Sequence, residues 1–172
     1  MSETLIAFGT RYGATPEACA EIQKILENEY NQHVEIWDLK DYRACPDLDD
    51  FDNVIVASGI EHGKWTKNAE MYLEKNKFDG KKVAVFISSS YAGEEDLYDY
   101  AYEEFLVKVI NKYPHVKPVA IAAFGGRIPK KEIPKIADQR LLSRLPEHQL
   151  DNRNWDKIKA WAHEIGKAFS KN

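Results

Sequence analysis

Leu5-Ile6-Ala7-Phe8-Gly9-Thr10-Arg11-Tyr12-Gly13-Ala14-Thr15-Pro16-Glu17 passes from an unbroken apolar run, through a loop of glycines and hydroxyls, into a helix start. An apolar run without polar alternation suits a strand covered on both faces, as in a parallel sheet. The helix is predicted to begin at Pro16 with Thr15 as its N-cap, since proline favours the first helical position and threonine the cap. A loop of this kind offers backbone N–H groups and hydroxyls to an anion at the positive end of a helix. The same residues also make an ordinary strand-to-helix turn, so the loop alone leaves both readings open.

The rest of the chain repeats the pattern. Short apolar runs follow at 34–37, 53–57, 82–88 and 118–124. Helix-period segments lie between them at 16–30, 66–76 and 96–113. In the last of these, Leu97, Ala101, Phe105 and Val109 recur every four residues as one apolar stripe. From Trp155 onward Ile158, Ala162, Ile165 and Phe169 do the same, which predicts a docked terminal helix. The stretch 38–52 is polar and shows no helical stripe. Such alternation predicts a doubly wound α/β domain spanning 1–172: a five-stranded parallel sheet in the order 2-1-3-4-5 with helices on both faces. Residues 125–152 break the rhythm with Gly125-Gly126-Arg127-Ile128-Pro129 and predict an excursion over the surface, either a structural lid or an interaction surface.

Composition narrows the functions. The 172 residues, 44% of them hydrophobic, suffice for a core. Lys plus Arg number 24 against 28 Asp plus Glu, a net charge of −4 that gives no electrostatic footprint for nucleic acid. No apolar run approaches the roughly 18 residues of a spanning helix. The N-terminus has no signal-peptide pattern, so the expectation is a cytoplasmic chain that does not engage membranes. Cys19 and Cys45 form no C-x-x-C, which indicates neither a disulfide scaffold nor a zinc cluster. His33, His115, His148 and His163 fall on separate segments without matched catalytic partners.

In an open parallel sheet the ligand lies past the carboxyl ends of the strands, which directs attention to the turns after Phe8, Ala57, Ser88 and Phe124. The second turn, Ser58-Gly59-Ile60-Glu61-His62-Gly63-Lys64-Trp65, offers small residues for close backbone approach, then His62 and Trp65 as stacking walls. The third, Ser88-Ser89-Ser90-Tyr91-Ala92-Gly93, offers hydroxyls and N–H groups, then Tyr91 as the opposite wall. Together they point to a flat aromatic ligand. Competing phosphate sites fit less well. The first loop has no G-x-G-x-x-G, and Gly59 to Lys64 has one residue too few between its glycines for a Walker loop. A phospho-receiver site needs acidic residues where Gly9-Thr10 and Ser58-Gly59 stand.

Thr10-Arg11-Tyr12-Gly13-Ala14-Thr15, Val54 to Lys64 and the Trp-led final helix carry a family likeness that runs nearly end to end. The chain resembles the flavodoxins, and most closely the flavodoxin-type, menaquinone-linked protoporphyrinogen dehydrogenases and their unassigned relatives. The resemblance implies a flavodoxin-like fold and an FMN cofactor, its phosphate on Thr10–Thr15 and its ring between the second and third loops. It implies an electron carrier acting with a redox partner protein or a small electron acceptor. One alternative is the dehydrogenase itself, against which the charged residues Lys130, Lys131, Glu132, Lys135, Asp138 and Arg140 of the excursion weigh. Another is a binding module that has lost FMN, suggested by Tyr12 where many flavodoxins have Thr. Glu94, Glu95, Asp96 and Asp99 follow the third loop, where they either lower a flavin's potential or serve as partners of a helix dipole.

Overall fold

Side chains alternate across β1 (Ser2–Gly9): Leu5 and Ala7 enter one core, Ile6 and Phe8 another. The same division runs through β3 (Asn53–Glu61), where Val54 and Val56 oppose Ile55 and Ala57, and through β5 (Lys82–Ser88), where Val83, Val85 and Ile87 oppose Ala84 and Phe86. Covering on both faces explains why these runs lack polar alternation. The structure, a computed structural model, describes residues 1–128, 140, 143, 144 and 150–172.

With β2 (Gln32–Asp38) and β6 (Ala120–Phe124), the parallel strands pair in the order β2-β1-β3-β5-β6. This is the predicted doubly wound arrangement with one addition, the two-residue β4 (Lys64–Trp65), antiparallel on β3. Helices α1 (Ala14–Tyr30) and α5 (Trp155–Ser170) cover the face that bears Ile6, Ile55 and Phe86. The opposite face is covered by α2 (Lys67–Lys75) and by a helical stretch described next. At the starts of β1, β2 and β3, Thr4, Gln32 and Asn53 are buried and bonded to one another, Thr4 Oγ1 donating to Gln32 Oε1 at 2.6 Å. A one-residue slip would strand these groups, so the trio fixes register.

Two predicted segments differ in detail. The helix expected over 96–113 is a chain of shorter turns: a 3₁₀ turn Glu95–Leu97, α3 (Tyr98–Ala101), a π segment Tyr102–Val107 and α4 (Lys108–Asn111). An α-helix overshoots a full turn by about 40° every four residues. A stripe spaced by four therefore drifts off an ideal α-helix, and the wider π winding brings Ala101, Phe105 and Val109 back over one core. Leu97, in the 3₁₀ turn, is left 38% exposed. The polar stretch 38–52 holds two 3₁₀ turns, Leu39–Ala44 and Leu48–Asp50, opened by Asp38 and Asp47 side chains that accept from Lys40 N and Asp49 N. Each contributes one leucine to the core, too few for a stripe.

Of the excursion predicted over 125–152, residues 129–139, 141, 142 and 145–149 lie outside the described residues, and His148 with them. Its two ends are zipped together. Ile128 N donates to Leu150 O at 2.6 Å, Asn152 N donates to Gly126 O at 3.1 Å, and Arg127 and Asp151 form an antiparallel bridge. Asp151 also accepts from Arg153 Nε at 2.9 Å and Nη2 at 2.8 Å. Those bonds hold its carboxyl below the ordinary range. A depressed native pKa gives stabilisation that is complete above the unfolded carboxylate value of about 3.9 and lost as pH falls through the lower native value. Acid should therefore loosen this neck, and Asp151→Asn should remove the dependence. The fluorescence of Trp155, whose ring lies 4.9 Å beneath the Arg153 guanidinium, reports it. Among the described residues no helix is long and apolar enough to cross a membrane.

Candidate functional site

The carboxyl ends of β1, β3, β5 and β6 open into a cleft of about 260 Å³ beside the point where strand order reverses. Its wall brings together Thr10, Arg11, Tyr12, Ala14 and Thr15 from the first loop, Gly59, Ile60, Glu61 and His62 from the second, and Ser89 and Ser90 from the third. Ser88, which opens the third turn, lines it as well, and so do Thr66, Gly126, Arg127 and Ile128, which the sequence does not single out as site residues. The turn after Phe124 lies past a strand end, and that position is the signal in the sequence for the last three.

In the first loop the predicted helix start is corrected. Helix α1 begins at Ala14, and the N-cap is Gly13, whose φ of 86° lies in the left-handed region that glycine enters freely. Gly13 N donates to Thr10 Oγ1 at 3.1 Å. Pro16 falls third in the helix, where a backbone N–H would have no intrahelical partner anyway. Thr15 is thus not a cap. It is fully buried, and its Oγ1 has no hydrogen-bond partner.

The second loop is a hairpin. Glu61 pairs with Lys64, and His62 and Gly63 turn the chain with φ of 49° and 74°, the positive pair that a type I′ turn requires. Pairing of Trp65 with Ile60 carries the indole into the core, where Nε1 donates to Phe105 O at 2.6 Å. Trp65 is therefore a core residue and not the expected stacking wall. His62 remains exposed at the rim, its Nε2 3.4 Å from Glu61 Oε1. Glu61 is ion-paired with Arg11, which links the first and second loops; the Arg11 guanidinium also lies 5.5 Å from the Tyr12 ring centroid. Ser58 lies beneath the lining, accepting from Thr66 N at 3.0 Å and donating to Gly59 O at 2.8 Å. Gly63 faces the Phe105 ring.

In the third loop Ser89 Oγ accepts from Tyr91 N at 3.2 Å and opens a 3₁₀ turn, Ser90–Gly93. Tyr91 lines a neighbouring concavity with Glu94, Asp96 and Leu97; Ser90 and Ile128 border both spaces. The residue is 46% exposed, and its ring centroid lies 6.0 Å from that of Phe105. Ala92 is in the core, and Gly93 abuts Asn152. Asn152 joins the third loop to the chain after β6: Nδ2 donates to Ser90 O at 2.7 Å, and Oδ1 accepts from Gly126 N at 3.0 Å.

Buried polar groups are nearly always hydrogen-bonded, so exceptions point to function. Among the described residues four buried side-chain atoms lack a partner, and two of them, Thr15 Oγ1 and Arg127 Nε, belong to residues of this cleft. A Cβ added to Gly59 would meet Thr15 Oγ1 at 3.3 Å, so the glycine keeps the approach to that hydroxyl open. Hydroxyls, free helix N–H groups and a guanidinium at one end of the cleft fit an anionic phosphate. Cys19 and Cys45 are free thiols, and burial pushes both up in pKa, away from the thiolate.

The sequence profile of the flavodoxin domain family matches residues 5–137. No curated protein sequence matches the chain. Among solved structures, oxidised flavodoxin 1 from Bacillus cereus superposes with a TM-score of 0.59 at 17% identity, covering 96% of this chain and 98% of that one. A flavoprotein in complex with FMN from Lactobacillus acidophilus gives 0.51 at 16% identity, covering 72% and 93%. Rubredoxin oxygen:oxidoreductase from Desulfovibrio gigas gives 0.55 at 15% identity; 98% of this chain is covered, but only 36% of that protein.

Proposed function

The chain belongs to the flavodoxin domain family, and from that membership we propose that it is an FMN-binding flavoprotein that carries electrons between partners. FMN supplies the redox chemistry, accepting and releasing electrons, while the protein orients it and sets its electrostatic surroundings. Thr10, Thr15 and the first-turn N–H groups of α1 would hold the phosphate. Gly59, Ile60, Ser89 and Ser90 would border the ring, with His62 and Tyr91 at its edges. Glu94, Glu95 and Asp96 beside Tyr91 oppose added negative charge on a nearby ring and present an acidic rim to a basic partner. The charged composition of 125–152 favours electron carriage over the quinone-linked dehydrogenase.

One observation carries the reading: the unpartnered Thr15 Oγ1 at the start of α1, inside the cleft. FMN should bind far more tightly than riboflavin, which lacks the phosphate. Thr15→Val keeps the shape and removes the hydroxyl. A hydrogen bond to a charged group contributes about 1.5–3 kcal/mol, so FMN affinity should fall roughly 10–100-fold while riboflavin affinity holds. The flavin-free variant should melt no lower than the parent, because valine removes an unsatisfied buried group. Equal affinity for the two flavins, read from quenching of flavin fluorescence, would sink this reading.

A further inference from the structure

We propose that Arg127, delivered from the chain after β6, is the specificity-determining cation for the flavin's phosphate. The assignment rests on the FMN reading above and goes beyond it, because the phosphate loop's own cation is engaged elsewhere. Arg11 is ion-paired with Glu61 of the second loop. Arg127 instead reaches the other end of the first loop: a Cβ built on Gly13 would lie 3.5 Å from its Nη2. Gly13 is the N-cap of α1, so the guanidinium stands where the helix dipole also favours an anion.

Its orientation is set from two sides. The backbone is fixed by the bridge to Asp151 and by the flanking bonds of Gly126 and Ile128 to Asn152 and Leu150. The side chain donates from Nη2 to Glu17 Oε1 at 3.0 Å. Glu17 is shared with Arg153, which Asp151 holds from its other side, so the four groups form a charge-balanced cluster and Arg127 offers a phosphate its unmatched N–H. Meanwhile the Arg127 Nε–H is buried without an acceptor. A guanidinium held on one edge, with another N–H buried and unmatched, suits the planar, multi-donor recognition of a phosphate monoester that arginine provides and lysine does not.

The test uses the flavin-free full chain titrated with FMN and with riboflavin at low and high salt. Arg127→Met should weaken FMN roughly 10–100-fold, leave riboflavin affinity unchanged and flatten the salt dependence of FMN binding. Arg127→Lys should restore the salt dependence but only part of the affinity. Inorganic phosphate should raise the thermal midpoint of the parent more than that of Arg127→Met. Unchanged FMN affinity in Arg127→Met, with the parent binding FMN tightly, overturns the Arg127 assignment alone. Equal losses for both flavins make Arg127 a structural strut and also overturn it. A parent that binds neither flavin overturns the FMN reading and this assignment together.

Discussion

Phe86→Ala should lower the unfolding free energy by about 3–5 kcal/mol, the cost typical of truncating a buried phenylalanine. Phe86 is fully buried on β5, between β3 and β6, and points toward α1 and α5. Its ring centroid lies 5.4 Å from that of Phe124 and 5.6 Å from that of Trp161, both tilted as aromatic pairs prefer. Two stiff neighbours of this kind cannot collapse into the space, so the cavity term stays large. A typical domain has about 5–15 kcal/mol in total, which makes this a substantial fraction. Urea denaturation should show a lower midpoint with an unchanged slope. A cost below about 1 kcal/mol would mean that the core repacks freely, contrary to the close packing of interiors. FMN affinity, measured where the variant is still folded, should change little, because Phe86 lies two residues short of the third loop.

Legibility divides along the same line. The strands were readable because burial on both faces leaves an unbroken apolar signature, and the order of strands followed from right-handed crossovers. Where a residue's fate depended on tertiary pairing, the sequence misled. Trp65 looked like a loop aromatic near a flat ligand, yet a two-residue strand turns it inward and Phe105 takes its N–H. Thr15 looks like a cap because threonine caps many helices, whereas the left-handed Gly13 starts α1 two residues earlier. The correction strengthens the phosphate reading, since a capping hydroxyl would be spent on its own helix and this one is not. Arg127 was illegible for a different reason. Nothing local marks an arginine after two glycines as part of a site formed 110 residues earlier in the chain; only the neck formed with Leu150 to Asn152 places it there.

Gly59→Val should reduce FMN affinity by roughly two orders of magnitude while the protein stays folded. Gly59 ends the part of β3 that pairs with β5, opposite Ser88. An added Cβ would lie 3.3 Å from Thr15 Oγ1, 3.8 Å from Thr10 Cα and 3.9 Å from Gly9 O. The first of these is tight but tolerable, so Gly59→Ala should give an intermediate loss. Valine's two methyl groups extend further toward the hydroxyl, and the residue is otherwise at home in a strand. Crowding costs about 1–3 kcal/mol, and loss of a hydrogen bond to a charged phosphate costs about 1.5–3 kcal/mol. Together they come to about 2.5–6 kcal/mol, whose lower end already corresponds to the affinity loss expected. The ratio of FMN to riboflavin affinity then tells which end of the cofactor lies against this residue. A fall in the ratio places the phosphate at Thr15. Equal losses for both flavins mean that the added methyl groups obstruct the ring and not the phosphate. If Gly59→Val binds FMN as the parent does and circular dichroism shows an unchanged fold, the cofactor does not lie between β1 and β3, and the cleft has been misassigned.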